Sequence, residues 1–206
     1  RIDANKLARL AAKNDLKPIH ILSIQEERDR ELLRARERAL RQLRRVKCQI
    51  KGFLLSHGID EPKGLKYWTR IGIQELEEMD LPSGIREPLD DLLQTLSHFQ
   101  ELSKKADARL RRLAEEERFA DRSKRMMTVP GVGVVTSMAF LLEMPNFGDL
   151  DNSRQVARLL GLSPRVRSSG EKTRADGRFQ GGKSLVRKLL IEAAWQWRGR
   201  DAWALE

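Results

Sequence analysis

The sequence predicts a mainly α protein, built of long antiparallel coiled-coil helices followed by a small helical module with a helix-hairpin-helix. Three observations carry that prediction. Apolar residues recur at alternating four- and three-residue steps through two long stretches, the signature of a helix that buries one stripe. The period-two alternation of a half-buried strand is scarce throughout. Turn-forming residues cluster between the periodic stretches rather than inside them.

In chain order, residues 4–14 read as a short helix with Leu7, Leu10 and Ala11 on one face, broken afterwards by Pro18. A long helix follows from about Ile24 to Leu55, with Ala39, Leu43, Val46, Ile50 and Phe53 as its seam. Arg34, Arg36, Arg38, Arg41, Arg44 and Arg45 stand densely beside that seam. The run SHGIDEPKG ends it with turn residues. After a short connecting region, Leu-Pro-Ser-Gly at 81–84 introduces the second long helix. Its stripe is Ile85, Leu89, Leu92, Leu96, Phe99, Ala106, Leu110 and Leu113, with Ser103 as the weak position. Two such helices most simply fold back on each other, although pairing between subunits satisfies the same pattern. Plain scaffold packing accounts for both stripes.

From Arg122 the texture changes. A Pro-Gly-Val-Gly turn separates two helical stretches. Asp151 to Ser153 supply caps for a helix that stops at Gly-Leu-Ser-Pro, and a strongly patterned helix runs from about Lys183 to Trp197. The expected division is 1–20, 21–121 for the linker helices, and 122–206 for the C-terminal module.

The net charge of +10 favours a polyanionic partner. It is unevenly spread: residues 1–58 hold 15 basic and 7 acidic side chains, 59–121 hold 10 and 15, and 122–206 hold 15 and 8. Cys48 is the only cysteine, which excludes an internal disulfide framework and a cysteine-based zinc site. The longest apolar stretch, VPGVGVVTSMAFLLEM, is interrupted by Pro and Gly and is too short to span a bilayer. With no signal-peptide pattern, the expected location is cytoplasmic, with no membrane partner. The chain opens without an initiator Met, so it reads as a fragment.

Two constellations carry candidate chemistry. At Val129–Gly133, Gly131 and Gly133 permit backbone amides to approach a phosphate, with the next helix's N-terminus adding its dipole and Arg122, Lys124 and Arg125 supplying charge. The bland alternative is a tight turn without a ligand. The second constellation is the non-helical segment PRVRSSGEKTRADGRFQGGKS, Pro164 to Ser184. From Arg165 to Lys188 there are eight Lys or Arg and two carboxylates. Arg165, Arg167, Lys172, Arg174, Arg178 and Lys183 could neutralise phosphates, while Gly170, Gly177, Gly181 and Gly182 allow close approach. The alternative here is a flexible solvated loop. Clustered guanidinium groups could favour the alkoxide of Ser168 or Ser169 and stabilise charge on a phosphoryl centre. No histidine lies nearby to serve a Ser-His-Asp hydrolase. Asp3 alone is uninformative.

Two separated stretches resemble one family. RIDANKLARL is similar to the end of the acidic catalytic motif of the IS one-ten family of bacterial insertion-sequence transposases, where a Lys-Thr-Asp-x-x-Asp-Ala run carries the last two catalytic aspartates. The stretch from VPGVG through FGDLDNSRQVARLLGLSPRVRSSGEKTRADGRFQGGKSLVRKLLIEAAW resembles that family's C-terminal module. The resemblance implies a DNA recombinase with a composite site. A RuvC-like DEDD domain would supply carboxylates for Mg²⁺, with Asp3 the last of them. The C-terminal module would supply a serine nucleophile, which maps onto Ser169 because the family's serine precedes a glycine; Ser168 is the fallback. It further implies a structured noncoding guide RNA and a homo-oligomer as partners. The other carboxylates would lie upstream of Arg1, so this stretch alone is expected to bind nucleic acid without cutting it.

Two rivals stand beside this reading. A helix-hairpin-helix DNA glycosylase would use Asp149 or Asp151, but the Val-Asp-Thr-His-like context is missing and the Ser-Gly segment would go unexplained. A non-catalytic basic helical DNA-binding module would need no nucleophile.

Overall fold

The computed structural model describes residues 2–15, 20–169, 172–178 and 181–199, with the backbone alone at residues 2, 149, 164–169 and 172–178. Helix α1 spans Ile2–Ala12 and α2 spans Ile24–Ser56. A 3-10 turn at Lys63–Tyr67 leads into α3, Arg70–Glu78, and then α4, Ser83–Glu115. The C-terminal module holds α5 (Glu117–Met127), α6 (Val134–Glu143), α7 (Ser153–Leu160), strands β1 (Pro164–Ser169) and β2 (Lys172–Arg178), and α8 (Ser184–Arg198). The chain is mainly α, as its periodicity predicts.

Helix α2 begins at a capping box: the Glu26 amide donates to Ser23 Oγ at 3.2 Å, and the Ser23 amide donates to Glu26 Oε2 at 2.7 Å. These bonds hold the Glu26 carboxyl below the usual glutamate range, the Ser23 backbone bond contributing most. The helix stops at His57, followed by Gly58 at a φ of +65°.

Helices α2 and α4 pair antiparallel. Arg36, early in α2, bonds Asp107, late in α4, while Val46, Ile50 and Leu54 share a core with Leu89, Leu93 and Leu96. The expected seam residues Ala39, Val46, Ile50, Leu89, Leu96, Ala106, Leu110 and Leu113 are buried, and so is Ser103. Leu43, Phe53, Leu92 and Phe99 are partly buried, whereas Leu33, Leu54 and Leu93 are buried outside the expected stripe. The stripe is wider than a two-helix seam because each end meets a third element. At one end the 3-10 turn and α3 insert Leu65 and Leu76, so the connecting region is structured core. At the other end Leu33, Leu110 and Leu113 join Met138, Leu141, Leu160 and Val186 in a second core. That core is continuous across the expected 121/122 division, which falls inside α5.

Helix α6 is the axis of the module, packing against α2, α4, α5 and α8. Its buried Ser137 meets Ser123 of α5, Oγ to Oγ at 2.9 Å, so each hydroxyl is satisfied where water is excluded. Among the described residues no helix is long and apolar enough to cross a membrane.

The basic segment departs from expectation. It is an antiparallel two-stranded hairpin rather than an irregular loop. Val166, Thr173 and Phe179 apart, little in the segment marks a strand: Val166 and Thr173 suit a pleated backbone, and Gly170-Glu171 stand between the strands in sequence, but the dense charge hides any apolar period.

Candidate nucleic-acid interface

The hairpin brings the second constellation together. Ser169 faces Lys172 in the backbone register, Ser168 faces Thr173, Arg167 faces Arg174, and Pro164 faces Arg178, with an irregularity between Pro164 and Val166. Arg165, Arg167, Ser168 and Ser169 thus lie on β1, and Lys172, Arg174 and Arg178 on β2. Their side chains, together with Gly170, lie outside the described residues.

The hairpin's base is fixed by backbone contacts. Gly161, at a φ of +70°, ends α7, and Gly182, at +89°, opens the return to α8. A Cβ on Gly182 would lie 2.6 Å from the Leu159 carbonyl oxygen and 2.7 Å from the Gly161 amide nitrogen. The Lys183 amide donates to that Leu159 carbonyl at 3.1 Å. Arg187, 6% exposed on α8, donates from Nη1 to the Leu160 and Gly181 carbonyls at 3.0 Å and reaches the Gly161 carbonyl at 3.4 Å.

Lys183 is engaged in structure. Its Nζ lies 3.1 Å from Glu143 Oε2, and Arg30 Nη2 of α2 reaches the same oxygen at 2.6 Å. Arg34 stands 4.0 Å from the other carboxylate oxygen. Burial alone would raise the Glu143 pKa, but the bonds from Arg30 and Lys183 overrule it and hold the carboxyl below its ordinary value. One carboxylate therefore ties the linker helix, the module's axis and the hairpin's exit.

The α5–α6 turn divides its two glycines. Gly131, at a φ of +84°, presses on α8: a Cβ there would lie 2.3 Å from the Ala193 carbonyl oxygen. Its conformational freedom serves packing. Gly133 is exposed, opens α6 and has nothing within 4 Å of its Cβ position. Arg125 pairs with Asp121 at 2.8 Å, and Arg122 donates to the Arg118 carbonyl at 2.9 Å.

The carboxylates singled out by sequence are dispersed. Asp3 is exposed in the first turn of α1. Asp151 accepts from Gln155 Nε2 at 3.0 Å beside the α7 cap, and the Asp149 side chain lies outside the described residues. Among the described residues no three His, Cys, Asp or Glu side chains gather as a metal site. Asp3 belongs to no such group, so the described part of this chain does not by itself fit Mg²⁺.

Sequence reasoning missed Glu143, Arg30 and Arg187. Glu143 had a signal, as the lone carboxylate in the apolar run SMAFLLEMP. Arg187 follows Val186 inside an apolar helix pattern, a weaker sign. Of the arginines flanking the α2 seam, Arg36 is spent on Asp107 and Arg38 on Glu31, whereas Arg41, Arg44 and Arg45 are exposed and have no ion-pair partner among the described residues.

Comparison with known proteins shows what the chain is similar to. Residues 123–206 match the model of the "Transposase IS116/IS110/IS902 family". The chain is 30% identical over 199 residues to a Sinorhizobium fredii protein named "Putative transposase y4qE", covering 96% of this chain and 47% of that protein. It is 25% identical over 196 residues to the transposase for insertion sequence element IS1111A of Coxiella burnetii, covering 94% and 53%. To the transposase for element IS1328 of Yersinia enterocolitica it is 28% identical over 164 residues, covering 79% and 48%. The chain thus spans about half the length of the known relatives it matches. Residues 123–206 are thus similar to the IS116/IS110/IS902 transposase family, and similarity to proteins named as transposases runs through 96% of the chain.

Proposed function

We propose that this chain is the strand-exchanging part of a DNA transposase, with Ser169 on the basic hairpin as nucleophile. The observation that carries the reading is the hairpin register. It sets Ser169 and Ser168 on a strand whose neighbouring positions are Arg165 and Arg167, opposite Lys172 and Arg174. A DNA phosphate between Arg167 and Arg174 would relieve their repulsion, and the same cations would stabilise charge building on phosphorus.

In the proposed step the Ser169 hydroxyl loses its proton as Oγ bonds to phosphorus, and one P–O ester bond breaks. The leaving sugar oxygen takes up a proton. One phosphodiester is exchanged for another, so attack by a second DNA hydroxyl reverses the step and rejoins strands without an external energy source. Gly133 and the N-terminal amides of α6 would hold backbone phosphate, which positions DNA without reading sequence. Asp3 is proposed as one ligand of Mg²⁺, completed by carboxylates outside the described residues; no step here is routed through the ion. Exposed Arg41, Arg44 and Arg45 suit the backbone of a guide RNA duplex, and a homo-oligomer would bring more than one serine to the exchanging strands.

The test compares the full-length transposase with its Ser169→Ala variant, each with element-derived RNA, Mg²⁺ and paired DNA substrates. Strand joining should fall by on the order of a thousandfold or more while DNA binding stays within about twofold. Joining at the wild-type rate would remove Ser169 from the chemistry.

A further inference from the structure

We propose that Arg187 is a positioning residue for strand exchange, clamping the base of the serine hairpin so that its strands project in one direction. The proposal rests on the serine reading given above. It starts from a costly feature: a guanidinium 6% exposed, with no carboxylate partner among the described residues. A buried cation without a counter-ion is expensive unless its donors are met. Here Nη1 is met by carbonyl oxygens of Leu160 and Gly161, at the negative end of α7, and of Gly181, just before α8. These carbonyls belong to the two segments that enter and leave the hairpin. The longer arginine side chain carries Nη1 to this set, whereas a lysine ammonium stops one bond short of it and an apolar side chain offers no donor.

The glycines show how little slack remains. A Cβ on Gly161 would lie 2.2 Å from Arg187 Nη1 and 2.4 Å from the Gly181 carbonyl oxygen. The two segments and the guanidinium are in direct contact, and the Lys183 bond to Leu159 closes the ring.

Leverage turns this clamp into a catalytic requirement. Ser169 lies at the far end of β1 from Pro164, a distance of roughly 17 Å at the usual rise of a strand. A tilt of about 10° at the base would carry the serine sideways by roughly 3 Å. Misplacement of a reacting group by about 1 Å can cost a hundredfold in rate. The cations on the hairpin travel with it and can still meet a flexible polyanion, so binding tolerates a tilt that chemistry does not.

The experiment uses the full-length transposase with its RNA, Mg²⁺ and DNA, as wild type, Arg187→Lys and Arg187→Met. Three quantities are read: the rate of covalent serine–DNA adduct formation at saturating DNA, the DNA dissociation constant, and deuterium uptake by peptides covering 159–183. Both variants should lose tenfold or more in adduct rate, keep the dissociation constant within about twofold, and take up deuterium faster at the Leu162 and Lys183 amides while α2 and α4 stay protected. Arg187→Lys, which keeps the charge and a donor nitrogen at shorter reach, should recover part of the rate lost in Arg187→Met. Adduct rates equal to wild type in a folded variant would overturn the proposal. So would rate and affinity falling in proportion, or loss of the folded state in both variants, because Arg187 would then hold the module together rather than aim the hairpin. No adduct in wild type is a separate outcome: it removes the serine reading and, with it, the role given to Arg187.

Discussion

The α2–α4 pair and the β-hairpin are held by opposite means. Along α2 and α4, apolar side chains such as Ile50, Leu54, Leu89 and Leu110 are fully buried, each contributing about 1.5–3 kcal/mol, with no special backbone geometry. At the base of the hairpin the holding contacts are carbonyl oxygens, amides, one guanidinium and glycines at positive φ. The first kind of contact is tolerant, because a helix can shift slightly and still bury its stripe. The second is directional. A scaffold needs only burial, whereas a segment proposed to aim a nucleophile would need a fixed direction, and hydrogen bonds supply that better than apolar contact does.

Three perturbations separate these two regimes. The largest stability effect belongs to the scaffold. Ile50→Ala should cost about 2–5 kcal/mol in chemical unfolding, since alanine keeps the helix but leaves a cavity. Strand joining well below the melting temperature should stay near wild type, because the lost contact lies at the far end from the hairpin. A smaller stability loss should come from Gly182→Ala, about 1–3 kcal/mol for a non-glycine residue at a φ of +89°, with added strain from the Leu159 carbonyl 2.6 Å away. Here joining should fall more steeply than stability, the reverse of the Ile50 result; thermal melts and joining assays on the same preparations would show the crossing.

The smallest effect should come from Glu143→Gln, about 1–2 kcal/mol at pH 7, because Lys183 and Arg30 are both partly exposed. Its dependence on pH is diagnostic. Folding lowers the Glu143 pKa, so the unfolded chain takes up the proton first as the solution is acidified. The carboxylate's contribution is whole above the ordinary glutamate value of about 4.3 and is lost as pH falls through the lower folded value. Melting curves of wild type and Glu143→Gln should therefore draw together as pH falls below the ordinary glutamate value of about 4.3 and through the lower folded one.

The same contrast explains what the sequence disclosed. Burial patterns are periodic, so both long helices were legible with their ends nearly placed, as were Gly161 as a stop and the glycine turn before α6. The width of the stripes was not legible, because Leu33, Leu54 and Leu93 are buried by third elements that periodicity within one helix cannot report. The hairpin escaped because its charge masked its period. Gly131 was readable as a glycine of need, but the need is the Ala193 carbonyl of a helix some sixty residues on. Arg187 and Glu143 act through groups distant in sequence, and no local pattern announces such partners.

The most direct measurement is to trap the reaction of the full-length protein with its RNA, Mg²⁺ and labelled DNA, and to map any protein–DNA adduct by mass spectrometry. The account predicts a phosphodiester adduct on Ser169 that disappears in Ser169→Ala. An adduct on Ser168 would move the nucleophile one position along β1 and contradict the assignment of Ser169. Strand cleavage with no adduct on either serine would contradict the account as a whole, since water would then be the nucleophile and the basic hairpin only a clamp on DNA.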